Sequence, residues 1–545
     1  MTAGLAGGVV VSAVGNVAPA APVIVVGAGI GGLAAAVALA AQGVAVQVLE
    51  AEGAIGGKLQ AVHLHGLALD AGPTVMTMRD VFDSLFALAG ERLDDHLRLS
   101  PLRILARHTW PGGATLDLFA DAAATVNAIG QFAGAKAARQ YAAFCVRSRA
   151  VFNALDGPYM RASKPNPLSL TWRCARSGWA GWRGLSRISP FQTLWRELGQ
   201  QFDDPRLQQL FARYATYGGS SPLAAPATLM LIAHVEQLGV WSVEGGMYSL
   251  ATALEGLARR LGVRIRCNCP VARVLLQGGR VSGVALPVPA GAAAGASAEV
   301  LAASAVVFNG DAAALSAGLL GEAVQQAVPA RPVGSRSLSA LTWNLHTPAR
   351  GFALLRHTVF FSGNYPQEFA ELFDQQRLPT EPTVYICAQD RGDQGLPDHG
   401  QPERLLCLVN APARADVAPF SLEEINACEA RTFQHLAHLG LQVDPQSAGR
   451  LRHSPADWAA RFPATGGALY GQATHGWMAS FSRPAARSQV PGLYLAGGSA
   501  HPGAGVPMAA LSGLQAASSL LADSPGRTLT APWRPAVMPG GISTR

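Results

Sequence analysis

The chain has 545 residues, of which 49% are hydrophobic and only 14% charged, with a formal net charge of +7. Globular proteins carry about 25% charged residues, so this composition predicts two or more domains with large cores and an unusually apolar surface or partner. No zinc-finger or RNP pattern accompanies the positive charge, which argues against a nucleic-acid partner. The seven scattered cysteines lack a CxxC pair, so no metal site is expected and a reducing cytoplasm fits best.

Residues 1 to 20 are small and uncharged and read as a mobile tail. Val23 to Val26 then predicts a buried parallel strand. It runs into Gly27-Ala-Gly29-Ile-Gly31-Gly32 and an alanine-rich helix from about Gly31 to Gln42. Gly27 permits the tight turn, Gly29 lets the backbone approach a pyrophosphate, and Gly32 lets the helix pack closely. The phosphates are expected on the positive end of that helix. A second strand, Val44 to Leu49, delivers Glu50, the first charged residue of the chain, where a carboxylate accepts ribose hydroxyls. Strand, glycines, helix, strand and acid form the opening βαβ unit of a dinucleotide-binding domain. Residues 17 to 41 are also uncharged throughout, but four glycines and the lack of any Lys or Arg before Lys58 argue against a membrane span or export signal.

Gly56-Gly57-Lys58 adds a second glycine turn, a hairpin is expected from Gln60 to Leu69, and Asp70-Ala-Gly72-Pro73-Thr74 follows. A plain NAD domain does not need these turns, which suit a longer cofactor. From about Leu105 to Gly239 the pattern reads as mostly helical. β character returns at Val263 to Arg266, Val271 to Leu276 and Val281 to Leu286. An Ala/Gly/Pro-rich stretch from Pro287 to Ala303 reads as an irregular loop. Ala305 to Phe308 predicts another buried strand. Near the end a strand from Leu493 to Ala496 leads into Gly497-Gly498-Ser-Ala-His501-Pro-Gly503-Ala-Gly505-Val506-Pro507-Met508. Pro507 suits the first turn of a helix reaching about Leu521, a second helix N-terminus able to hold an anion.

These pieces together resemble the bacterial carotenoid desaturases, the phytoene-desaturase branch of the flavin-dependent amine oxidase superfamily, over about residues 22 to 522. The resemblance rests on the N-terminal fingerprint with Gly56-Gly57-Lys58, on Asp70 to Thr74, on Tyr214 to Gly219, and most specifically on His501-Pro-Gly-Ala-Gly505. Gly498 to Gly513 is most similar to the hydroxyneurosporene (methoxyneurosporene) desaturases, since phytoene desaturases usually show Pro-Gly where this chain has Pro507-Met508. The superfamily commonly ends its last strand in Gly-Asp. Gly497-Gly498 stands here instead, so no carboxylate is assigned to the flavin at that point.

The resemblance implies an α/β fold: a discontinuous Rossmann-like domain binding FAD without a covalent link, at about 21 to 105, 240 to 325 and 480 to 525. An inserted α+β substrate domain would occupy 106 to 239 and 326 to 479, and 526 to 545 a C-terminal tail. Cofactor residues are expected at Gly27, Gly29, Gly31, Gly32, Glu50, Gly57, Lys58, Gly72, Pro73, Thr74, Val271, Gly497, Gly498, Gly503, Gly505, Val506, Pro507 and Met508. The implied activity is desaturation of an acyclic 1-hydroxycarotenoid near its hydroxylated end, with oxygen or a quinone as electron acceptor. Phytoene desaturation, carotenoid isomerisation and a non-redox prenyl escort related to GDP-dissociation inhibitors are the alternatives. Hydride loss leaves a delocalised cation with an acidic neighbouring C–H, so a weak base suffices. His501 is the candidate, with loop capping as its other reading.

Between Gly157 and Arg196 there is no Asp or Glu, while Arg161, Lys164, Arg173, Arg176, Arg183, Arg187 and Arg196 alternate with Trp172, Trp179, Trp182 and Trp195. This pattern fits a segment lying on an anionic membrane. The expected location is cytoplasmic, peripheral to the inner membrane.

Overall fold

The computed structural model describes residues 21–163, 165–167, 191–288, 297–392, 395, 400–446 and 449–524. Its first sheet is parallel and five-stranded, in the order Leu493–Leu495, Ala305–Phe308, Val23–Val26, Val46–Leu49, Arg264–Arg266. Strands distant in sequence become neighbours: Val23 lies opposite both Ala305 and Val46. A parallel sheet is covered on both faces, which is why its central strands are continuous apolar runs rather than alternating ones. On one face Ile24 and Val306 pack with Val274 and Val284 of an antiparallel three-stranded sheet. Helices cover the other.

The helix Ile30–Ala40 is buried from Ile30 to Leu39. It has no solvent face because the last helix, Val506–Ala522, and Tyr248–Arg260 pack on it from outside. Small residues bring the first and last helices together. A Cβ added at Gly513 would stand 2.1 Å from the Gly31 carbonyl oxygen and 2.9 Å from the Ala35 nitrogen.

The second large sheet has seven strands, ordered Arg450–His453, Ser339–Thr347, Glu403–Ala411, Val384–Ala388, His357–Phe360, Ile104–Thr109, Thr115–Phe119. The expected domain limit at 105/106 therefore cuts through a strand, and the stretch read as mostly helical opens with a hairpin. Its signal was the burial of Leu116 and Leu118 on one face, two residues apart. Helices follow. Ala122–Leu155 is capped by Asp121, whose carboxylate accepts the Ala123 and Ala124 N–H groups, and it breaks at Gly134 (φ 87°).

The hairpin expected after Gly57 forms from Ala61–Leu64 and Leu67–Asp70, with positive φ at His65 and Gly66. Within the stretch read as an irregular loop, Val300–Ala302 instead pairs with Arg280–Ala285. Residues 289–296 of that loop lie outside the described residues, as do both tails.

The basic, tryptophan-rich segment departs from expectation where it is described. Arg161 is buried and ion-paired with Asp80 at 2.6 Å and Asp156 at 2.8 Å, because the turn Asp156–Met160 folds it back onto its own helix end. Trp195 packs into the core beside Tyr365. Arg196 is exposed. Lys164, Trp172, Arg173, Arg176, Trp179, Trp182, Arg183 and Arg187 lie outside the described residues.

Candidate functional site

The carboxyl ends of the parallel strands open into a cavity of about 900 Å³. The strand order explains why. Ala305–Phe308 sits between Val23–Val26 and Leu493–Leu495, so the loop after it, Asn309 to Asp311, is wedged between the two glycine-rich loops. Asn309 Nδ2 donates to the Gly27 carbonyl at 3.2 Å, and Ser499 Oγ accepts the Ala312 N–H at 3.0 Å. Ligands bind at this edge of open α/β sheets.

Of the residues expected at a cofactor, Gly27, Gly29, Gly31, Glu50, Gly57, Lys58, Gly72, Pro73, Thr74, Val271, Gly497, Gly498, Gly503, Gly505, Val506, Pro507 and Met508 all line this one cavity. Gly32 lies behind it: an added Cβ there would stand 2.1 Å from the Gly27 carbonyl oxygen, so this glycine lets the loop close on itself. At Gly31 an added Cβ would meet the Gly497 nitrogen at 2.8 Å, so a side chain would push the two loops apart.

Glu50 is buried at the end of its strand. Its carboxylate accepts the Ala28 N–H at 2.6 Å and the Glu52 N–H at 3.0 Å. Lys58 is half-buried on the wall and donates from Nζ to the Leu469 carbonyl at 2.6 Å. Burial pushes its pKa below the usual lysine value, with Asp311 opposing the shift and Arg483 adding to it. Thr74 Oγ1 is 2.6 Å from the Tyr385 hydroxyl, which is 2.8 Å from His357 Nδ1. This chain of hydroxyls ties the first loops to the seven-stranded sheet.

His501 is not on the wall. Only 3% exposed, it directs Nε2 to the Tyr159 carbonyl at 3.0 Å, and its ring meets that of Tyr159 edge to face. Burial pushes its pKa down to about 4. This is the geometry of a loop cap, whereas the expectation of a base required a ring facing the cavity.

Several wall residues escaped the sequence reading. Arg483 is buried and donates to the Tyr470, Gly498 and Gln472 carbonyls, holding the second glycine loop in place. Arg213 lies 5.4 Å from the centroid of the Tyr385 ring. Beside it, Glu236 accepts the Tyr214 hydroxyl at 2.7 Å and the Tyr217 hydroxyl at 3.1 Å. Burial raises the Glu236 pKa, against the hydrogen bonds of the two tyrosines and the Arg213 charge. Tyr217 keeps 39% of its surface accessible although protein surrounds it, because that face opens on the cavity. The run Tyr214 to Gly219 was a visible motif. Glu236, on a helix that reads as ordinary sequence, gave no signal.

An apolar stretch of the wall is formed by Leu155, Met160, Leu229, Leu231, Ile232, Val235, Leu406, Leu408 and Phe481. A dinucleotide's polar half and a hydrocarbon thus find complementary walls in one space. The bare backbone at Gly29, Gly31 and Gly57, the carboxylate of Glu50 and the N-termini of two helices fit a flavin dinucleotide.

Comparison with known proteins agrees with this geometry. Residues 30–521 match the family described as flavin containing amine oxidoreductase. The chain is 49% identical over 526 residues to the hydroxyneurosporene desaturase of Rubrivivax gelatinosus, covering 96% of this chain and 97% of that one. It is 45% identical over 506 residues to the hydroxyneurosporene desaturase of Cereibacter sphaeroides, covering 93% and 98%. Among solved structures, an oxidoreductase from Methanosarcina mazei superposes with a TM-score of 0.56 at 16% identity, covering 90% of this chain and 99% of that one. This last likeness shows the fold alone.

Proposed function

The chain belongs to the flavin-containing amine oxidoreductases and, within them, to the carotenoid desaturases, and from that premise we propose that it is the FAD-dependent 3,4-desaturase of an acyclic 1-hydroxycarotenoid. The observation that carries this reading is the convergence of both glycine-rich loops, Glu50 and an apolar wall on one cavity. Glu50 would accept ribose hydroxyls, and the helix N-termini at Ile30 and Val506 would hold the cofactor's anionic groups.

Bound flavin supplies the hydride acceptor for this chemistry. The apolar wall positions the polyene and excludes water. One C–H bond of the substrate leaves with its electron pair as hydride. The electron pair of the adjacent C–H becomes the new π bond, and its proton needs an acceptor. Glu236 is the wall carboxylate that burial makes more basic, and we assign it this role in place of His501. Oxygen or a quinone then takes up the two electrons.

Among the described residues no helix is long and apolar enough to cross a membrane. A C40 polyene is insoluble in water, so the protein must collect it from lipid. Peripheral docking through the basic segment between residues 157 and 196 on the cytoplasmic face of the inner membrane satisfies that need.

Anaerobic addition of 1-hydroxyneurosporene to the FAD-reconstituted chain on liposomes tests the proposal. Bleaching of the flavin by this polyene and not by phytoene is the expected result. Bleaching by phytoene alone would move the substrate to the start of the desaturation sequence.

A further inference from the structure

We propose that Thr342 and Asn410 form a subsite that hydrogen-bonds the terminal hydroxyl of the polyene and so selects the hydroxylated substrate over its unhydroxylated counterpart. This deepens the function proposed above and rests on it. The strands Ser339–Thr347 and Glu403–Ala411 pair antiparallel within the seven-stranded sheet. Side chains alternate between the two faces of a strand. Leu341, Trp343 and Leu345 of the first strand and Leu405, Cys407 and Val409 of the second enter an apolar core behind the sheet. Thr342, Leu406, Leu408 and Asn410 take the other face and line the cavity.

The two polar side chains stand out on this face. Thr342 is 3% exposed and Asn410 6%. Thr342 Oγ1 is enclosed and has no partner among the described residues. The Asn410 amide likewise makes no hydrogen bond among them. Burying a hydroxyl or an amide unpaired is costly, and apolar side chains of similar size would carry no such cost. A bound group that pairs with both accounts for their presence. Register brings them together: Leu408 lies opposite Thr342 and Asn410 opposite Ala340, so the two are diagonal neighbours, roughly 7–8 Å apart at the backbone. One small polar group between them can reach both. An alcohol suits the pair because it donates and accepts at once, as do the threonine hydroxyl and the asparagine amide.

Position decides which alcohol. Tyr385 lies opposite Leu408 on the next strand, and its hydroxyl is 2.6 Å from Thr74 Oγ1. Asn344, on the same strand face as Thr342, donates to the Asp70 carbonyl at 2.9 Å. The face that carries the pair is thus docked on the loop from Asp70 to Thr74, where the cofactor is expected. In a 1-hydroxy polyene desaturated at its 3,4 bond, a single carbon separates the hydroxyl-bearing carbon from the first reacting one. The hydroxyl must therefore be held close to the flavin. A subsite beside the cofactor loop meets that condition, and one at the far end of the cavity would not.

The test compares 1-hydroxyneurosporene with 1,2-dihydroneurosporene, the same polyene with hydrogen in place of the hydroxyl, as reductants of the full FAD-loaded chain in detergent micelles. Thr342→Val and Asn410→Leu are made singly, with Thr342→Ser as the conservative control. The original chain should favour the hydroxylated polyene in kcat/KM by roughly 100-fold, and Thr342→Val and Asn410→Leu should each cut that preference about tenfold. Thr342→Ser should keep it. FAD affinity, read by flavin fluorescence, should be the same in all four proteins. Equal losses with both polyenes, or weaker FAD binding in the variants, overturn the proposal and give the pair to the cofactor or the framework. So does an original chain indifferent to the hydroxyl. Binding of each polyene, read from the shift of its visible absorption band, keeps the two readings apart. If neither polyene reduces the flavin, the redox function fails, while hydroxyl-dependent binding that the variants lose still supports the subsite and hydroxyl-independent binding overturns it.

Discussion

Glu50 has one duty that the structure shows and a second that the proposed function adds. Its carboxylate anchors the fingerprint loop through the Ala28 N–H, and in the proposed complex it also accepts ribose hydroxyls. Hydrogen bonds to a charged group contribute about 1.5–3 kcal/mol. Glu50→Gln is therefore expected to weaken FAD binding by roughly 10- to 100-fold, read by quenching of flavin fluorescence, with the far-UV circular dichroism unchanged; unaltered affinity would remove Glu50 from the cofactor site. For the proton, Glu236→Gln keeps the shape and one of the two tyrosine hydrogen bonds, and should slow flavin reduction by about 10²-fold or more at unchanged FAD affinity. His501→Gln should leave the rate of reduction and its pH profile intact. The reverse pattern would restore His501 as the base. Glu50 was legible because a charged residue at the end of an uncharged βαβ pattern has one common use. The role of His501 is less legible, because a motif shows that a residue is needed and not which way its ring turns, and here the ring turns to Tyr159.

The first and last helices meet through small residues, and that contact aligns the two loops at the cavity. Gly513→Ala would place a methyl 2.1 Å from the Gly31 carbonyl, so the helices must separate, at a cost of about 1–3 kcal/mol. A lower melting temperature together with weaker FAD binding is expected, while an unchanged melting temperature would contradict the packing described. An alanine-rich helix with no polar face must be covered on every side, but its sequence does not say which helix covers it. The hairpin Ile104–Phe119 was not visible in the same way. Its edge position leaves Arg107 and Asp117 to pair across the strands at 2.8 Å, and those charges obscured the alternation. The break at Gly134 was equally silent, since one glycine within a helical pattern does not announce a kink.

For the molecule as a whole, buried imidazoles set the response to acid. Burial pushes the pKa values of His108 and His357 down to about 3 and that of His501 to about 4, from an ordinary 6.5. Below pH 6.5 the unfolded chain binds protons that the folded chain refuses, so stability falls as pH drops, by about 1.4 kcal/mol per pH unit for each imidazole. Glu368, which burial pushes up to about 7, is protonated first in the folded state and offsets part of this loss, as does Glu236, raised in the same direction. Urea unfolding should therefore give a smaller free energy at pH 5.5 than at pH 7, and equal or greater stability at pH 5.5 would contradict the dominance of the imidazoles over the raised carboxyls. That three distant segments form one flavin domain was implied by the family resemblance, whereas the order of their strands and the Arg213–Tyr217–Glu236 group exist only once the chain has folded. The central claim is that one cavity holds a flavin dinucleotide against an apolar polyene. The most direct test is anaerobic absorbance of the FAD-loaded chain as 1-hydroxyneurosporene is titrated in. Stoichiometric bleaching with formation of the polyene extended by one double bond is the predicted result, and an oxidised flavin that persists in the presence of bound polyene would contradict it.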